Sequence, residues 1–259
     1  GGMMMTTLQD QVILITGASR GIGSAIAEAC AQSGAHVIIN YKSNTQAPKK
    51  TVSQCQAHGG IAEAIQADIN QRQQVDEMMH YIQNNYGKLS CVVNNAFRPF
   101  EFNAETRQVA DEMNWQDYAT QFEGALLYTH NVIQAALPYL KQQQAASIIN
   151  MTTNLIKRPI VPYHSYNVAK SALEAYTKNL AIDLGKYGIR VNCVAPGLVY
   201  PTNNTLATKE QLKQQLIQQT PLGRYTVPDD IAGPVMFLAS DWSRFMTGQV
   251  LYVDGGLTI

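Results

Sequence analysis

Residues 16–23, with the sequence TGASRGIG, follow an apolar run at residues 11–16 (QVILIT) and open an amphipathic stretch at residues 22–33. Glycines in such a turn let the backbone approach a pyrophosphate closely, and a helix that starts there presents free N–H groups. The segment therefore predicts a dinucleotide-binding turn, with a merely structural strand-to-helix turn as the alternative. Its predicted cofactor-binding residues are Gly17, Ser19, Arg20, Gly21, Ile22 and Gly23.

Apolar runs alternate with amphipathic stretches from this turn to the end of the chain. Strands that are apolar throughout and separated by helices indicate a parallel sheet covered on both faces. We therefore predict a doubly wound, Rossmann-type α/β fold with seven buried strands, and such sheets bind ligands beyond the carboxyl ends of the strands. The predicted strands are residues 11–16, 36–40, 61–67, 89–94, 147–152, 190–195 and 249–253, and the amphipathic stretches include residues 22–33, 71–86, 115–140 and 165–187.

The composition narrows the function classes. The formal net charge is zero, so nothing suggests a nucleic-acid footprint or an anionic-membrane binder. No apolar run approaches the roughly 20 residues of a membrane span, and the start lacks a signal-peptide pattern, so we expect a cytoplasmic protein. The four cysteines and five histidines are scattered, which predicts reduced core thiols and no metal site.

The chain has no linker rich in Pro, Gly or Ser, no repeat and no low-complexity tract. We therefore expect one domain over residues 8–259, preceded by a tag remnant (Gly1 and Gly2) and a short tail. Two irregular segments, residues 97–113 and 196–220, follow the fourth and sixth predicted strands. Because both leave the carboxyl edge of the sheet, we expect them to border a substrate site, and ordinary surface loops are the alternative.

A tyrosine and a lysine stand four residues apart at Tyr166 and Lys170, and a hydroxyl lies thirteen residues upstream of the tyrosine at Thr153. Residues spaced by four share one face of a helix. An ammonium group beside a phenol stabilises the phenolate and is expected to lower the phenol pKa from about 10 toward working pH. Such a phenol can give a proton to a carbonyl oxygen or take one from an alcohol.

The end of the second predicted strand bears on cofactor choice. An NAD site usually has an acid near Tyr41 to hold the ribose 2′-hydroxyl. That acid is missing, while Lys42 follows and Arg20 lies in the glycine turn, so we predict NADP(H), with a solvated loop charge as the alternative for Lys42. Asp68, at the end of the third strand, is predicted to accept the adenine amino group or to cap the following turn.

With these residues placed, the chain resembles the short-chain dehydrogenase/reductase family from about residue 8 to its end. It looks most like the bacterial 3-oxoacyl-[acyl-carrier-protein] reductases, especially a subgroup with a long insert after NNA and a TTN…PYHxY segment. The motifs that carry the resemblance are TGxxxGxG at residues 16–23, NNAG as residues 94–97, Thr153, Tyr166 and Lys170 for the Ser–Tyr–Lys set, PG at residues 196–197, and the closing stretches PLGR, TGQ and VDGG.

The resemblance implies reduction of a carbonyl, here a 3-oxoacyl thioester, by NADPH with Tyr166 as the general acid. It also implies a homotetramer, packed through the long helices and the C-terminal strand. Further cofactor contacts are implied at Ile69, Asn95, Ala96, Pro196, Gly197 and Val199. The chain departs from the family pattern at Thr153 (usually Ser), at Gln121 (for the fourth catalytic residue, commonly Asn) and at Phe97 (for the last glycine of NNAG).

Two rival interpretations stay open. Tyr163 and Lys170 fit the Tyr-x6-Lys spacing that resembles the enoyl-[acyl-carrier-protein] reductase variant of the family, although that variant normally lacks a tyrosine at the position of Tyr166. The three departures also allow a dinucleotide-binding regulator with little catalysis.

Overall fold

A computed structural model describes residues 8–202, 205–206 and 208–259. The described strands form one seven-stranded sheet in the order β3-β2-β1-β4-β5-β6-β7, and all the pairings are parallel. The strands are β1 Val12–Ile15, β2 His36–Tyr41, β3 Ile61–Gln66, β4 Cys91–Asn94, β5 Ala146–Met151, β6 Ile189–Pro196 and β7 Val250–Val253. The predicted Rossmann-type sheet is confirmed.

Helices cover both faces of this sheet. They are α1 Gly21–Gln32, α2 Gln46–Ala57, α3 Arg72–Tyr86, α4 Trp115–Phe122, α5 Tyr128–Leu140, α6 Ser165–Leu184, α7 Glu210–Gln219 and α8 Pro228–Ala239. One buried apolar cluster joins the sheet to α3, α5 and α6, and a second joins it to α1, α2 and α8. Burial of apolar area on both faces is the main source of stability in such a layered fold.

The strand order reverses between β1 and β4, which are paired neighbours whose following segments go to opposite faces. In an open parallel sheet this switch point is where the loops beyond the strands separate and leave a crevice. The glycine turn follows β1 and the NNA segment follows β4, so both predicted motifs lie at this crevice.

The structure corrects three details of the sequence prediction. β3 and β7 are edge strands and are only half-buried, since each has a neighbour on one side; Ile61 is 51% exposed. Residues 115–140 are one helical stretch interrupted by a π turn at Glu123–Leu127. The segment 196–220 is not irregular throughout, because it contains α7.

The four cysteines are buried and unpaired. Among the described residues, no group of His, Cys, Asp and Glu side chains has an arrangement that could hold a metal ion. In that same part of the chain, no helix combines the length and apolarity that crossing a membrane requires.

Candidate active site

The glycine turn has a backbone that only glycine fits. Gly17 and Gly21 have φ values of +60° and +55°, in the left-handed region that L side chains rarely adopt. Gly23 has an ordinary φ, but a Cβ there would lie 2.5 Å from the carbonyl oxygen of Gly17. The turn therefore brings the N-terminus of α1 against the end of β1 with no side chain between them.

The NNA segment after β4, residues 94–96, is hydrogen-bonded to the glycine turn. The Thr16 hydroxyl accepts hydrogen bonds from the backbone N–H groups of Asn95 and Ala96, both at 3.1 Å. The side-chain amide of Asn95 donates to the Gly17 carbonyl oxygen at 3.1 Å. Asn95 and Ala96 are thus fixed in the crevice. The glycine turn and the NNA segment together form a cradle, in which a pyrophosphate could lie close to the backbone and to the free N-terminus of α1.

The cations predicted to select the cofactor lie at the outer end of the cradle. Arg20 and Lys42 are exposed and line the same cavity, together with Tyr41. The Lys42 carbonyl oxygen accepts a hydrogen bond of 2.9 Å from the Gln66 side chain, which ties the end of β2 to the end of β3. A ribose at this position would meet two cations and no carboxylate from β2.

Asp68 both caps its turn and lines the cavity. One carboxylate oxygen accepts the backbone N–H of Asn70 at 3.0 Å, so the structural role proposed for Asp68 is present. The residue also borders the cavity beside Ile69. Both interpretations of this side chain therefore remain compatible with its place in the fold.

The opposite wall is the PG segment at the end of β6. A Cβ on Gly197 would lie 2.9 Å from the Cβ of Asp254, so the segment can pack there only as glycine. The Asn154 amide donates to Asp254 at 3.2 Å and links this wall to the residues that follow β5. Pro196, Gly197 and Val199 all line the cavity, as predicted for cofactor contacts.

Tyr166 and Lys170 lie in the first turns of α6, where both side chains are buried. The Lys170 ammonium donates to the Met151 carbonyl oxygen at 2.8 Å and lies 5.9 Å from the centre of the Tyr166 ring. The Thr153 hydroxyl accepts the backbone N–H of Leu155 at 3.3 Å, and it lies near enough to Tyr166 to lower the pKa of that phenol. The three predicted groups are therefore brought together by β5 and α6.

The electrostatics of this cluster differ from the sequence expectation. Burial raises the pKa of Tyr166, and the hydrogen bond with Thr153 offsets only part of that rise. Burial also lowers the pKa of Lys170 to about 8. Desolvation thus outweighs the expected influence of the ammonium on the phenol, and the Tyr166 phenol keeps its proton, as a general acid must.

Three phenylalanines from the segment after β4 surround the tyrosine. The Phe100 ring stacks on Tyr166 with centroids 5.3 Å apart, and the Phe102 ring meets it edge-on at 4.9 Å. Phe97 lies 6.2 Å from the same ring and 5.2 Å from the Lys170 ammonium. Of the three phenylalanines, only Phe97 is predicted from the sequence as a departure at the site, although the pattern FRPFEF directly after a strand end is a signal of an apolar cluster.

Tyr163 belongs to the same cluster. Its ring lies 5.4 Å from the rings of both Phe100 and Phe102, and it lines the cavity together with Tyr166. Burial raises the pKa of Tyr163 to about 12, while the charge of Arg107 lowers it. The rival tyrosine is therefore present at the site, but Thr153 lowers the pKa of Tyr166 and not that of Tyr163.

One cavity of about 820 Å³ connects the cradle to the aromatic cluster, a size typical of ligand sites. Two predicted site residues do not line it. Gly23 lies beneath the turn, and Gln121 is buried on α4. The predicted residues that do line it are Gly17, Ser19, Arg20, Gly21, Ile22, Tyr41, Lys42, Asp68, Ile69, Asn95, Ala96, Thr153, Tyr166, Lys170, Pro196, Gly197 and Val199.

Arg98 and Tyr128 line the cavity without having been predicted. Arg98 forms an ion pair of 2.7 Å with Glu123, the first residue of the π turn. Gly124 leaves room for it, since a Cβ there would lie 2.6 Å from the Arg98 side chain. This contact depends on the interruption of the helix between α4 and α5, which no sequence pattern revealed.

Comparisons with known proteins agree with this arrangement. Residues 17–258 match a family model described as enoyl-(acyl carrier protein) reductase. The chain is 38% identical to an uncharacterized oxidoreductase of Methylorubrum extorquens, over 98% of this chain and all of that protein. It is 35% identical to the 3-oxoacyl-[acyl-carrier-protein] reductase of Staphylococcus epidermidis, over 94% of this chain and 97% of that protein.

A solved structure has the same fold over almost the whole chain. It is a 7α-hydroxysteroid dehydrogenase complexed with NADH and 7-oxo glycochenodeoxycholic acid, with a TM-score of 0.88 and 29% identity, covering 99% of this chain and 97% of that one. The family and this neighbour indicate a nicotinamide dinucleotide cofactor. The chain belongs to the short-chain dehydrogenase/reductase family of oxidoreductases, and within it is most like the 3-oxoacyl-[acyl-carrier-protein] reductases.

Proposed function

We propose that this protein reduces the ketone of a 3-oxoacyl thioester to a hydroxyl group with NADPH. The observation that carries the proposal is the buried Tyr166, with Thr153 and Lys170 beside it, in the same cavity as the dinucleotide cradle. The relatives that are 32–35% identical include 3-oxoacyl-[acyl-carrier-protein] reductases, which supports this substrate class over other ketones. One domain over residues 8–259 would carry the whole reaction.

The residues divide the work as follows. NADPH, when bound, supplies the hydride that the carbonyl carbon receives. Tyr166 donates its phenolic proton to the carbonyl oxygen, so that one hydride and one proton convert the ketone to an alcohol. Thr153 donates a hydrogen bond to the same oxygen and stabilises its developing negative charge. Lys170 stabilises the phenolate that remains until Tyr166 regains a proton from solvent.

The preference for NADPH over NADH rests on charge. Arg20 and Lys42 line the cavity beside Tyr41, where an acidic side chain would be expected to hold a ribose 2′-hydroxyl. A 2′-phosphate gains charge-assisted hydrogen bonds from two cations, whereas a 2′-hydroxyl gains little from them. Arg20 immediately precedes α1, inside the glycine turn, and this position brings its side chain to the cavity.

A second candidate is reduction of an enoyl thioester with Tyr163 as the acid. It is favoured by the presence of Tyr163 in the cavity and by the description of the matching family model. The retained Tyr166, in one cavity lining with Thr153 and Lys170, favours the ketone reaction.

Paired variants decide between the two tyrosines. In the proposal, Tyr166→Phe lowers kcat with acetoacetyl thioester by about 10²–10⁴-fold, because lost acid catalysis has that magnitude. NADPH binding, measured by fluorescence titration, is expected to change little. Tyr163→Phe is the matched control, since it removes a phenol from the same aromatic cluster. If Tyr163→Phe is the inactive variant and crotonyl thioester the preferred substrate, the enoyl reaction replaces the one proposed here.

A catalytically weak regulator is the third candidate, and the same assays test it, since wild-type protein that binds NADPH but reduces neither thioester would support it.

We also propose a homotetramer. Trp115 on α4 and Ile182 on α6 are 73% and 85% exposed, which leaves apolar surface on two of the helices that the family resemblance places at subunit contacts. Analytical ultracentrifugation would measure the number of subunits.

A further inference from the structure

We propose that residues 97–113 and α7 together form a cap that selects substrates with a long apolar acyl chain over short ones. This inference rests on the proposed function and specifies its substrate. The cap is defined by the segment after β4 and by the helix at Glu210–Gln219. It joins the aromatic cluster on Tyr166 to an apolar wall on the opposite side of the cavity.

The aromatic part of the cap lies directly on the proposed acid. Phe100 stacks on Tyr166, and Phe102 packs edge-on against both Tyr166 and Tyr163. Phe102, Tyr163 and Tyr166 line the cavity, so a carbonyl that reaches the Tyr166 hydroxyl would have its neighbouring atoms beside these three rings. Contact of this kind stabilises apolar groups and penalises polar groups that find no hydrogen-bond partner.

The two parts of the cap are tied to each other. The Thr208 hydroxyl donates to the Phe102 carbonyl oxygen at 3.0 Å, and Lys209 forms an ion pair with Glu105. Both ties connect the residues just before α7 to the segment after β4. Arg107 in addition donates to the Pro162 carbonyl oxygen at 3.3 Å, which fixes the segment above the turn that carries Tyr163.

The cavity wall beneath the cap is apolar. Leu212 and Leu216 from α7 line the cavity next to Phe102, and the wall that faces them is made of aliphatic side chains. The charged residues that line the described cavity lie at the cradle (Arg20, Lys42 and Asp68), at the proposed acid (Lys170) or in the ion pair of Arg98 with Glu123. The remaining apolar lining residues on this side are Leu155, Ile160, Val161 and Leu257.

An apolar wall of this kind discriminates by chain length, because each methylene group that leaves water on binding adds favourable free energy. A 3-oxodecanoyl group would extend from the ketone at Tyr166 along Phe102 and Leu212. An acetoacetyl group has the same reacting atoms but only a methyl group beyond the ketone. The difference between the two substrates therefore measures the cap alone.

The test compares kcat/KM for the N-acetylcysteamine thioesters of 3-oxodecanoic and acetoacetic acid, with NADPH and the full chain. We expect the longer substrate to be favoured by about tenfold or more in wild-type protein, as differences of a few methylene groups in an apolar pocket produce. Phe102→Ala and Leu212→Ala should each lower that ratio at least threefold. Two variants from different parts of the cap keep the test decisive if one of them folds poorly.

Val109→Ala is the matched control. Val109 belongs to the same segment but is 41% exposed and takes no part in the aromatic cluster, so the ratio should stay as in wild type. Equal kcat/KM values for the two thioesters, or a preference for the short one, would overturn the cap while leaving the reductase in place. A protein that binds NADPH but reduces neither thioester would overturn the proposed function, and this inference with it.

Discussion

The two halves of the cavity differ in the groups that form their walls. The cofactor half is made largely of backbone, with glycines at Gly17, Gly21 and Gly23 whose φ angles or close contacts exclude other residues. The substrate half is made of side chains, with Phe100 and Phe102 from one segment packed on a tyrosine from α6. We infer that the first half fixes a cofactor shared across the family, while the second is free to vary with the substrate.

After Tyr166→Phe, the largest effect is expected for another side chain in the substrate half. Thr153→Val keeps the shape but removes the hydroxyl that lies beside Tyr166, so kcat should fall by about 10²-fold or more. Thr153→Ser preserves the hydroxyl and should remain active. Because Thr153 also accepts the Leu155 N–H, the melting temperature of each variant must be measured with its kcat. A Val variant within threefold of wild type at an unchanged melting temperature would remove Thr153 from the mechanism.

A smaller effect is expected for a methyl group in the cofactor half. Gly23→Ala introduces a Cβ 2.5 Å from the Gly17 carbonyl oxygen and 2.7 Å from the Ala18 Cα, so the turn has to shift. Overpacking of this kind costs about 1–3 kcal/mol of folding free energy. A turn that shifts to relieve it moves the N–H groups at the start of α1 away from the pyrophosphate, so the Kd for NADPH should rise by about fivefold or more. Fluorescence titration measures that Kd.

Gly185→Ala is the control for this substitution. Gly185, at the end of α6, also has helical φ and ψ values of −57° and −36°, but it is exposed and a Cβ there meets no atom within 4 Å. Alanine should raise the free energy of unfolding by roughly 0.4–1 kcal/mol and leave the Kd unchanged. If the two variants bind NADPH equally well, the close packing of Gly23 is irrelevant to the cradle.

Cofactor choice tests whether side chains matter at all in the cofactor half. Tyr41→Asp combined with Lys42→Ala removes a cation and places a carboxylate toward the 2′-phosphate. One charge-assisted contact contributes roughly 1.5–3 kcal/mol, so the ratio of kcat/KM for NADPH to that for NADH should fall about tenfold or more. A wild-type protein that already prefers NADH would contradict the premise.

The smallest effect is a pH dependence from Lys170, where the two halves meet. Burial lowers its pKa to about 8, so the ammonium form is present below that pH and is lost above it. The kcat/KM for ketone reduction should therefore decline severalfold as the pH rises through about 8. Lys170→Arg stays charged to above pH 12, and whatever activity it retains should show no such decline.

The contribution of Lys170 to stability changes with pH in the opposite sense, which separates loss of activity from unfolding. Between about pH 8 and the ordinary value of 10.5, the unfolded chain binds a proton at Lys170 that the folded chain lacks. The contribution of this residue to the free energy of unfolding therefore rises with pH in that window. A decline in kcat/KM that tracks unfolding across the same window would not be due to Lys170.

The same contrast explains what could be read from the sequence. Buried parallel strands and a glycine turn leave local patterns, so the sheet and the position of the turn can be predicted from the sequence. The packing of Phe100 on Tyr166 joins segments far apart in the chain, so the pattern FRPFEF signals an apolar cluster but not the tyrosine that it packs on. This packing also changes the expected pKa of Tyr166. The charge of Lys170 suggests a lowered pKa, whereas burial, to which these rings contribute, raises it.

Two further differences have physical causes. The residues around α7 suggest one loop, although the Leu and Ile spacing within α7 among Glu, Gln and Lys is typical of a surface helix. Gln121, a catalytic residue by resemblance only, is buried on α4 outside the cavity lining, and its role stays a prediction. The π turn that follows it changes which residues face the crevice, and periodicity does not predict such a turn.

The central claim is that this chain reduces a ketone and not an alkene, using NADPH. The most direct measurement is NADPH oxidation by wild-type protein with acetoacetyl, 3-oxodecanoyl and crotonyl thioesters, with the products identified by mass spectrometry. The account predicts 3-hydroxyacyl products from the two ketones and little turnover of the crotonyl thioester. Saturated butyryl product from the crotonyl thioester, with no hydroxyacyl product from either ketone, would contradict it.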